Sequence, residues 1–423
     1  MRKSTRFGAA LLGVLLVVSA CSGDGESDAA GGRDRITLSY AIWDNSQRPV
    51  MDELGREFTR THPDVTIDVQ LAPWTDYWTR LRAAAGGGAA PDVFWMNGPN
   101  FRLYASNGML RSLEKEIARD GVDLSVYPRP LVDLYTLNGE RFGLPKDMDT
   151  IGVWYNKALF DAKDVAHPAD DWTWADFQSA AARLTDPAAG VYGTAAMLGS
   201  FQECQYNTIA QAGGHVISPD GRRSGYDDPR TIAGLRFWTD LIRAGRSPDL
   251  MSMTDTVPLQ LFEVGKIAMY WGGSWNVAEF SANAYTRGRV DVAPLPRGER
   301  RATVIHGVAN VVSATTGHPE EAWQFVRFLG SRQAADILGR KGPMPAHTGT
   351  QDAWVSAHPE FDLRTFVDAV AYGVPYPVSA NTAAWNESEL THLARAWTGE
   401  VPVEEAAAGL AAEMNALLSR ERS

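Results

Sequence analysis

The spacing of apolar residues after residue 35 alternates between the periods of strands and helices. Residues 36–40 and residues 65–71 alternate apolar with polar side chains, which predicts two half-buried strands. Between them, Val50, Leu54 and Phe58 recur every four residues, which predicts one buried face of a helix. A strand, a helix and a second strand in this order favour a parallel β-α-β unit.

The same alternation continues beyond the second strand. Tyr77, Leu81 and Ala84 predict a second helix that ends at the glycines of residues 86–88, and residues 93–96 predict a third strand. The series indicates a largely parallel sheet covered by helices. Ligands of such sheets bind beyond the carboxyl ends of the strands, so the loops after the three strands are the first candidates for a site.

Aromatic and polar residues occupy these three loops. Trp43 and Asp44 follow the first strand, Trp74 follows the second and Asn97 follows the third. We interpret Asp44 as a ligand contact in preference to a turn cap. Trp43 and Trp74 fit either stacking on a ligand or a core position, and Asn97 fits either a ligand contact or a turn.

Two acidic residues flank a later extended segment. Asp147 and Asp149 precede residues 151–155, which form an apolar, strand-like stretch that crosses from one part of the fold to another. We expect one carboxylate to face a ligand and the other to hydrogen-bond within the crossing.

The strongest candidate for ligand contact is a glycine pair between two indoles. Gly272 and Gly273 follow Trp271 and precede Trp275 by two positions. Glycine allows a ligand to approach the backbone closely, and the two indoles offer flat apolar surfaces.

Three further residues are weaker candidates. His306 ends or bends a predicted strand and is interpreted as a surface histidine, with a place in the ligand site as the alternative. Tyr376 and Trp385 belong to a proline-rich aromatic stretch near the carboxyl end. The other tryptophans of strand and helix patterns, Trp95 among them, are expected in the core.

Composition narrows the class of protein. The 423-residue chain is 44% hydrophobic and 22% charged, which suits two or three folded domains and is too little charge for disorder. The net charge of −11 argues against nucleic acid or an anionic membrane surface as partner. Two cysteines form neither a disulfide framework nor a cysteine zinc site, and the eight histidines lack ligand-like spacing. We therefore expect no metal and no cofactor.

The amino terminus has the pattern of an export signal. Basic residues precede an apolar stretch at residues 7–20, which is too short to span a bilayer. The small residues before Cys21 resemble the lipobox of bacterial lipoproteins, which implies a signal peptide at residues 1–20 and a lipid on Cys21. Residues 21–34 then read as a flexible tether. The alternative is an ordinary secretory signal with an incidental cysteine.

A series of motifs in order along the chain resembles the family 1 extracellular solute-binding proteins, the maltose-binding-protein-like sugar-binding lipoproteins of bacterial ABC importers. Each motif alone is weakly specific, and their order and spacing carry the resemblance. Besides the lipobox, they are Pro91–Asn97, Leu144–Asp147, Trp154–Lys157, Gln211–Gly214, Tyr226–Pro229, Met269–Trp275, Asp291–Pro296 and Pro319–Trp323.

The resemblance implies an α/β, two-lobe periplasmic-binding-protein-like (type II) fold. Each lobe would be a mainly parallel sheet flanked by helices, and hinge crossings would join the lobes. Residues 35–146 plus 291–330 would form lobe one, and residues 147–290 plus 331–423 would form lobe two. The implied protein is a monomer without enzymatic activity, anchored outside the cell membrane, which captures a mono- or oligosaccharide by hinge closure and delivers it to ABC permease subunits.

Two alternatives remain open from the sequence. A secreted glycoside hydrolase would also be rich in tryptophan, and Asp147 and Asp149 would supply its pair of carboxyl groups. No nucleophile-elbow, zinc-protease or phosphate-loop motif occurs. The same fold would also suit a glycerophosphodiester or a polyamine. A glycerophosphodiester site would need arginines at the cleft, and a polyamine site would need more converging acidic side chains.

Overall fold

The computed structural model describes residues 35–195 and 197–421. The predicted signal peptide, Cys21 and the tether lie outside the described residues. The strands, in chain order, are β1 (Ile36–Ile42), β2 (Val65–Leu71), β3 (Val93–Met96), β4 (Thr136–Leu137), β5 (Glu140–Arg141), β6 (Gly143–Pro145), β7 (Ile151–Asn156), β8 (Tyr192–Ala195), β9 (Ile267–Gly273), β10 (Val290–Pro294), β11 (Thr303–Ile305), β12 (Ala309–Val312) and β13 (Gly373–Pro375).

Helices cover these strands over most of the described chain. In chain order they are α1 (Arg48–Thr61), α2 (Trp74–Gly86), α3 (Gly98–Ser106), α4 (Glu114–Arg119), α5 (Arg129–Leu134), α6 (Lys157–Ala162), α7 (Trp174–Leu184), α8 (Gln205–Gln211), α9 (Pro229–Arg243), α10 (Leu250–Asp255), α11 (Pro258–Glu263), α12 (Val277–Ala282), α13 (Pro319–Leu329), α14 (Arg332–Lys341), α15 (Gln351–Ala357), α16 (Arg364–Ala369), α17 (Thr382–Trp397) and α18 (Val403–Arg420).

The first sheet has the strand order β2-β1-β3-β12-β6. Strand β1 is parallel to β2 and β3, as the β-α-β-α-β pattern predicts. Strand β12 runs antiparallel to β3 and β6. Helix α1 buries Val50, Leu54 and Phe58 in the core beside this sheet, which is the face predicted from their spacing.

The second sheet has the order β10-β7-β9-β8. Strand β7 is antiparallel to both neighbours, and only β8 and β9 are parallel. Both sheets are therefore mixed, where the sequence predicted mainly parallel ones. The antiparallel neighbours arise because the chain enters the second sheet from crossing segments rather than from covering helices.

The chain passes between the two sheets several times. It crosses after β6 towards β7 and returns after β10 towards β12. At these crossings Asp149 and His306 exchange backbone hydrogen bonds of 2.7 and 3.1 Å, and β11 pairs with β13. Neighbouring backbone segments at these crossings thus connect the two lobes. We define the lobes as the first sheet and the second sheet, each with its packed helices.

Two of the expected lobe boundaries differ from the structure. Strand β10 pairs with β7, so residues 291–294 belong to the second sheet and not to lobe one. Helix α14 packs beside the first sheet, where Ala334 and Leu338 join the core that contains α1, although residues after 330 were assigned to lobe two. Apolar side chains at these positions fit either core, so the sequence pattern does not say which sheet they cover.

Among the described residues, no helix combines the length and hydrophobicity needed to cross a membrane.

Candidate functional site

A cleft of about 960 Å³ lies where loops of both lobes face each other. Its walls combine indole rings with carboxylate, amide and imidazole groups. The principal lining residues are Trp43, Asp44, Gln47, Trp74, Trp78, Asn97, Asn100, Asp147, Asp149, Phe201, Gln202, Trp275, Glu279, His306, Tyr376 and Asn386.

Most of the residues singled out from the sequence come together in this cleft. Those that line it are Trp43, Asp44, Trp74, Asn97, Asp147, Asp149, Trp275, His306 and Tyr376. Trp43, Asp44, Trp74 and Asn97 converge because the loops after β1, β2 and β3 meet at one edge of the first sheet. The other five reach the cleft from the crossings and from the second lobe.

Three tryptophans form one wall, which we call the aromatic wall: Trp43, Trp74 and Trp78. The ring centroids of Trp43 and Trp74 are 5.4 Å apart at 72°, and those of Trp74 and Trp78 are 5.7 Å apart at 89°. Half of the Trp74 side chain is exposed, at 50%. These edge-to-face contacts hold the rings in fixed orientations and leave flat apolar surface open to the cleft.

Asp44 both lines the cleft and caps a turn. One carboxylate oxygen accepts hydrogen bonds from the backbone and hydroxyl of Ser46, at 2.8 and 2.7 Å. The other oxygen accepts from Gln47 Nε2 at 2.8 Å, directly before α1. The two interpretations of this residue are therefore compatible, since a carboxylate has further acceptor positions for a ligand.

Asn97 likewise lines the cleft while capping a helix. Its side-chain oxygen accepts from the backbone N–H of Asn100 at 3.3 Å and from the Asn100 amide at 2.9 Å, at the start of α3. Among the described residues, the amide nitrogen of Asn97 donates to no other group, so it is available to donate to a ligand in the cleft.

A buried ion pair anchors the crossing between the lobes. Lys146 Nζ donates to the Asp147 carboxylate and to Gln47 Oε1, and lies 4.3 Å from the centre of the Trp95 ring. The other Asp147 oxygen accepts from the backbone N–H of Val308 at 2.6 Å. Lys146 thus neutralises the charge of Asp147 at the back of the cleft, and both carboxylate oxygens of Asp147 have hydrogen-bond donors.

Asp149 has a different environment. It accepts a hydrogen bond of 2.8 Å from Ser274 Oγ, which follows the end of β9 in the second sheet. Burial, together with the nearby charge of Asp147, raises the pKa of the Asp149 carboxyl above its ordinary value. Asp149 thus binds the second lobe through its side chain and the other crossing through its backbone.

His306 lies in the cleft wall and not on the outer surface, so the favoured sequence interpretation is wrong. Only 7% of the residue is exposed, and its ring lies 5.3 Å from that of Tyr376. The backbone N–H of Gly98 donates to Nε2 at 3.2 Å, so that nitrogen acts as an acceptor. Burial lowers the pKa of His306 to about 4, which keeps the imidazole neutral near pH 7.

Trp271 lies outside the cleft, contrary to the sequence interpretation. Its side chain is 0% exposed and packs edge-on against Trp238, with ring centroids 4.9 Å apart. Every residue of β9 is buried, so the strand has no solvent face for Trp271 to present. Trp385 is also in the core, where its Nε1 donates to Ser379 Oγ at 2.8 Å.

The two glycines beside Trp271 serve packing within the protein. Gly272 and Gly273 belong to β9 and pair with β7, so they form no ligand loop. A Cβ atom on Gly273 would lie 2.0 Å from the ring of Trp275. The missing side chain lets the Trp275 indole lie over the backbone, which positions that ring in the cleft wall.

Several lining residues were not identified from the sequence. Trp78 lies one helical turn after Trp74, and that spacing of four could have identified it. Gln202, Glu279 and Asn386 come from the second lobe and have no distinctive sequence context. The lining contains carboxylates from both lobes, and no lysine or arginine lines this cleft among the described residues.

Comparison with known proteins places the chain among binding proteins. A family model described as bacterial extracellular solute-binding protein matches residues 43–336. A maltotriose-binding protein of Pyrococcus abyssi is 25% identical over 298 residues, which is 68% of this chain and 61% of that protein. A galactooligosaccharide-binding protein of Bacillus subtilis is 23% identical over 334 residues, which is 76% of this chain and 75% of that protein.

Solved structures share the fold over nearly the whole chain. An ABC substrate-binding protein of Listeria monocytogenes, in complex with cycloalternan, is 26% identical with a TM-score of 0.85 and covers 91% of this chain and 100% of that one. The GacH receptor of Streptomyces glaucescens is 23% identical with a TM-score of 0.79, covering 90% and 98%. These likenesses confirm the predicted two-lobe α/β fold class.

Proposed function

The chain belongs to the bacterial extracellular solute-binding protein family, and from that premise we propose that it captures a mono- or oligosaccharide for an ABC importer. The observation that carries the proposal is the cleft, which combines an aromatic wall with carboxylate and amide groups from both lobes. The names of the relatives, which bind maltotriose or galactooligosaccharide, support the same class of ligand.

The chemistry of a sugar matches this combination of groups. A pyranose has C–H faces that pack on flat aromatic surface and a rim of hydroxyls that donate and accept hydrogen bonds. Each buried hydroxyl without a partner costs about 1–3 kcal/mol, so the placement of acceptors selects the sugar. We propose that Trp43, Trp74 and Trp275 contact the faces and that Asp44 and Asp149 accept from hydroxyls.

The charges of the cleft disfavour the phosphate-bearing alternative. A phosphate calls for the opposite charge of lysine or arginine, whereas the lining holds the carboxylates of Asp44 and Glu279 and, among the described residues, no lysine or arginine. A polyamine would need several ionised carboxylates, whereas Asp147 is already paired with Lys146 and burial raises the pKa of Asp149, which favours its uncharged form.

The hydrolase alternative is also disfavoured. Asp147 is engaged by Lys146 and by a backbone N–H, so it lacks the free carboxylate that a nucleophile or base requires. The relatives named above are described as binding, substrate-binding or receptor proteins. The chain is accordingly a binding protein that returns its ligand unchanged.

The test is a titration of the purified protein with maltooligosaccharides, galactooligosaccharides, a glycerophosphodiester and a polyamine, followed by tryptophan emission and by heat. We expect at least one sugar to saturate the protein and to be recovered intact. Recovery of cleaved sugar would support the hydrolase instead, and saturation only by a phosphodiester or a polyamine would refute the sugar assignment.

We further propose that the lobes close on the ligand at the crossings, and that a lipid on Cys21 anchors the protein beside its permease. Closure would bring Asp149 and Tyr376, near the crossings, against a ligand resting on the aromatic wall. Replacing Cys21 by Ser should release the protein from the membrane fraction, since a diacyl anchor would supply the attachment. A Cys21→Ser protein that stays with the membrane would contradict lipid anchoring.

A further inference from the structure

A second cavity of about 720 Å³ lies on the other side of Tyr376 from the cleft. Tyr376 lines both spaces, and helices α3 and α17 contact each other beside it. Arg102 of α3 contributes one wall of the second cavity, while α8, the segment after β13 and the end of α18 contribute the others. The two spaces are thus neighbours with different linings.

Arg102 brings an unpaired positive charge to this second cavity. Its Nε atom is buried and has no hydrogen-bond partner, and its side chain forms no ion pair with any described residue. Arg300 lines the same cavity, and its Nε donates only to the carbonyl oxygen of Ala210 at 2.8 Å, without a carboxylate partner in the described part of the chain. A buried donor without a partner is costly, so it favours an acceptor from outside.

The acidic residues of the second cavity are already occupied. The Glu421 carboxylate accepts from Ser379 Oγ at 2.7 Å and from the backbone N–H groups of Ala380 and Asn381 at 2.9 and 2.8 Å. Asp220 accepts from Ser218 Oγ and from the backbone after it. The cavity therefore holds two carboxylates of the chain itself, both engaged by hydroxyl and backbone donors, and neither is paired with Arg102 or Arg300.

The remaining lining is apolar. Val216, Ile217, Val378 and Leu418 face the same space, together with prolines of the segment after β13. A small inorganic anion would leave this apolar surface exposed to water, whereas a ligand with a hydrocarbon body would cover it.

We propose that the second cavity is a separate binding site for a small organic carboxylate with an apolar body. The carboxylate pairs with Arg102, with Arg300 beside it, because a guanidinium and a carboxylate form charge-assisted hydrogen bonds. The body packs on Val216, Val378 and Leu418. The sugar cleft is acidic and has no basic lining residue among those described, so the two sites take ligands of different chemistry.

The test uses three probes on the purified protein in calorimetry: hexanoate, acetate and hexanol. Hexanoate has both the charge and the body, acetate has the charge alone and hexanol the body alone. Each buried methylene strengthens binding about fourfold, so hexanoate should bind at least tenfold more tightly than acetate, and also than hexanol. Equal binding of acetate and hexanoate, or no binding of hexanoate, would overturn the proposal.

Variants then locate the probe and separate the two sites. Arg102→Gln should weaken hexanoate at least tenfold and leave sugar binding unchanged, which also shows that the variant is folded. Arg129→Gln is the matched control, since Arg129 is an exposed arginine of α5 away from both cavities. Trp74→Ala should weaken the sugar and leave hexanoate unchanged. Hexanoate binding that survives Arg102→Gln, or that is lost with Trp74→Ala, would refute a separate site.

Discussion

Trp74 gives the sharpest test of the aromatic wall, because 50% of its side chain is exposed at the cleft. A tryptophan buries about 150–250 Å² when fully covered, so about 75–125 Å² is open to a ligand. At about 25 cal/mol per Å², full coverage is worth about 2–3 kcal/mol and half coverage about 1–1.5 kcal/mol. Trp74→Ala should therefore weaken sugar binding by roughly 5- to 150-fold.

The assay is calorimetric titration of the parent and the variant with the sugar that binds the parent. Because Trp74 is half exposed, the variant should remain folded, which its thermal unfolding will show. Met251→Ala is the control, since Met251 is 76% exposed on α10 and lies outside the cleft lining. A folded Trp74→Ala protein that binds the sugar as tightly as the parent would refute the stacking argument.

Three further predictions concern buried groups. Trp271→Ala should lower the free energy of unfolding by about 3–5 kcal/mol, measured by denaturant titration, because it empties a core position; a stable variant with weakened sugar binding would contradict this placement. Lys146→Met should lower the free energy of unfolding by about 3–5 kcal/mol, because it leaves the Asp147 carboxylate buried and unpaired. Adding Asp147→Asn should recover part of that loss. A double variant no more stable than Lys146→Met alone would contradict the pairing. Glu389 of α17 is buried and accepts hydrogen bonds from the hydroxyls of Tyr206 and Tyr226. Burial raises the pKa of Glu389 from about 4.5 to about 8, so the folded chain holds a proton that the unfolded chain has released, and the free energy of unfolding should fall by up to about 1.4 kcal/mol per pH unit as the pH rises from about 4.5 to about 8. Glu389→Gln should remove the share of this slope that Glu389 contributes, while other buried carboxyls such as Asp149 keep theirs. An unchanged dependence of the denaturant midpoint on pH would contradict the assignment.

The early part of the fold follows from local pattern alone. In β1 and β2 every second residue is apolar and faces the same side of the sheet, and α1 between them has a single buried face. The spacing of apolar residues in the sequence therefore identifies each of these three elements. The place of β12 between β3 and β6 is not visible, because its partners lie more than a hundred residues away and its own four residues are all buried. A strand buried on both faces has no alternation that reports register or direction.

Part of the candidate site, like part of the fold, could be predicted from the sequence. Trp43, Asp44 and Asn97 lie beyond strand ends, and the rule that parallel strands deliver their loops to one edge brings them together. The prediction for Trp271 is wrong because every residue of β9 is buried. A tryptophan beside glycines in such a strand has no polar neighbours that would indicate whether its side chain faces the cleft or the core. The contribution of the second lobe depends on how the lobes face each other, which no local pattern encodes.

Native mass spectrometry of the purified protein with a saturating oligosaccharide would show whether the cleft holds one intact sugar. We expect a complex whose mass exceeds that of the protein by one intact sugar, and a marked loss of that complex when Trp43 and Trp74 are both replaced by Ala. A complex that persists in the folded double variant, or a mass increment equal to a fragment of the sugar, would contradict it.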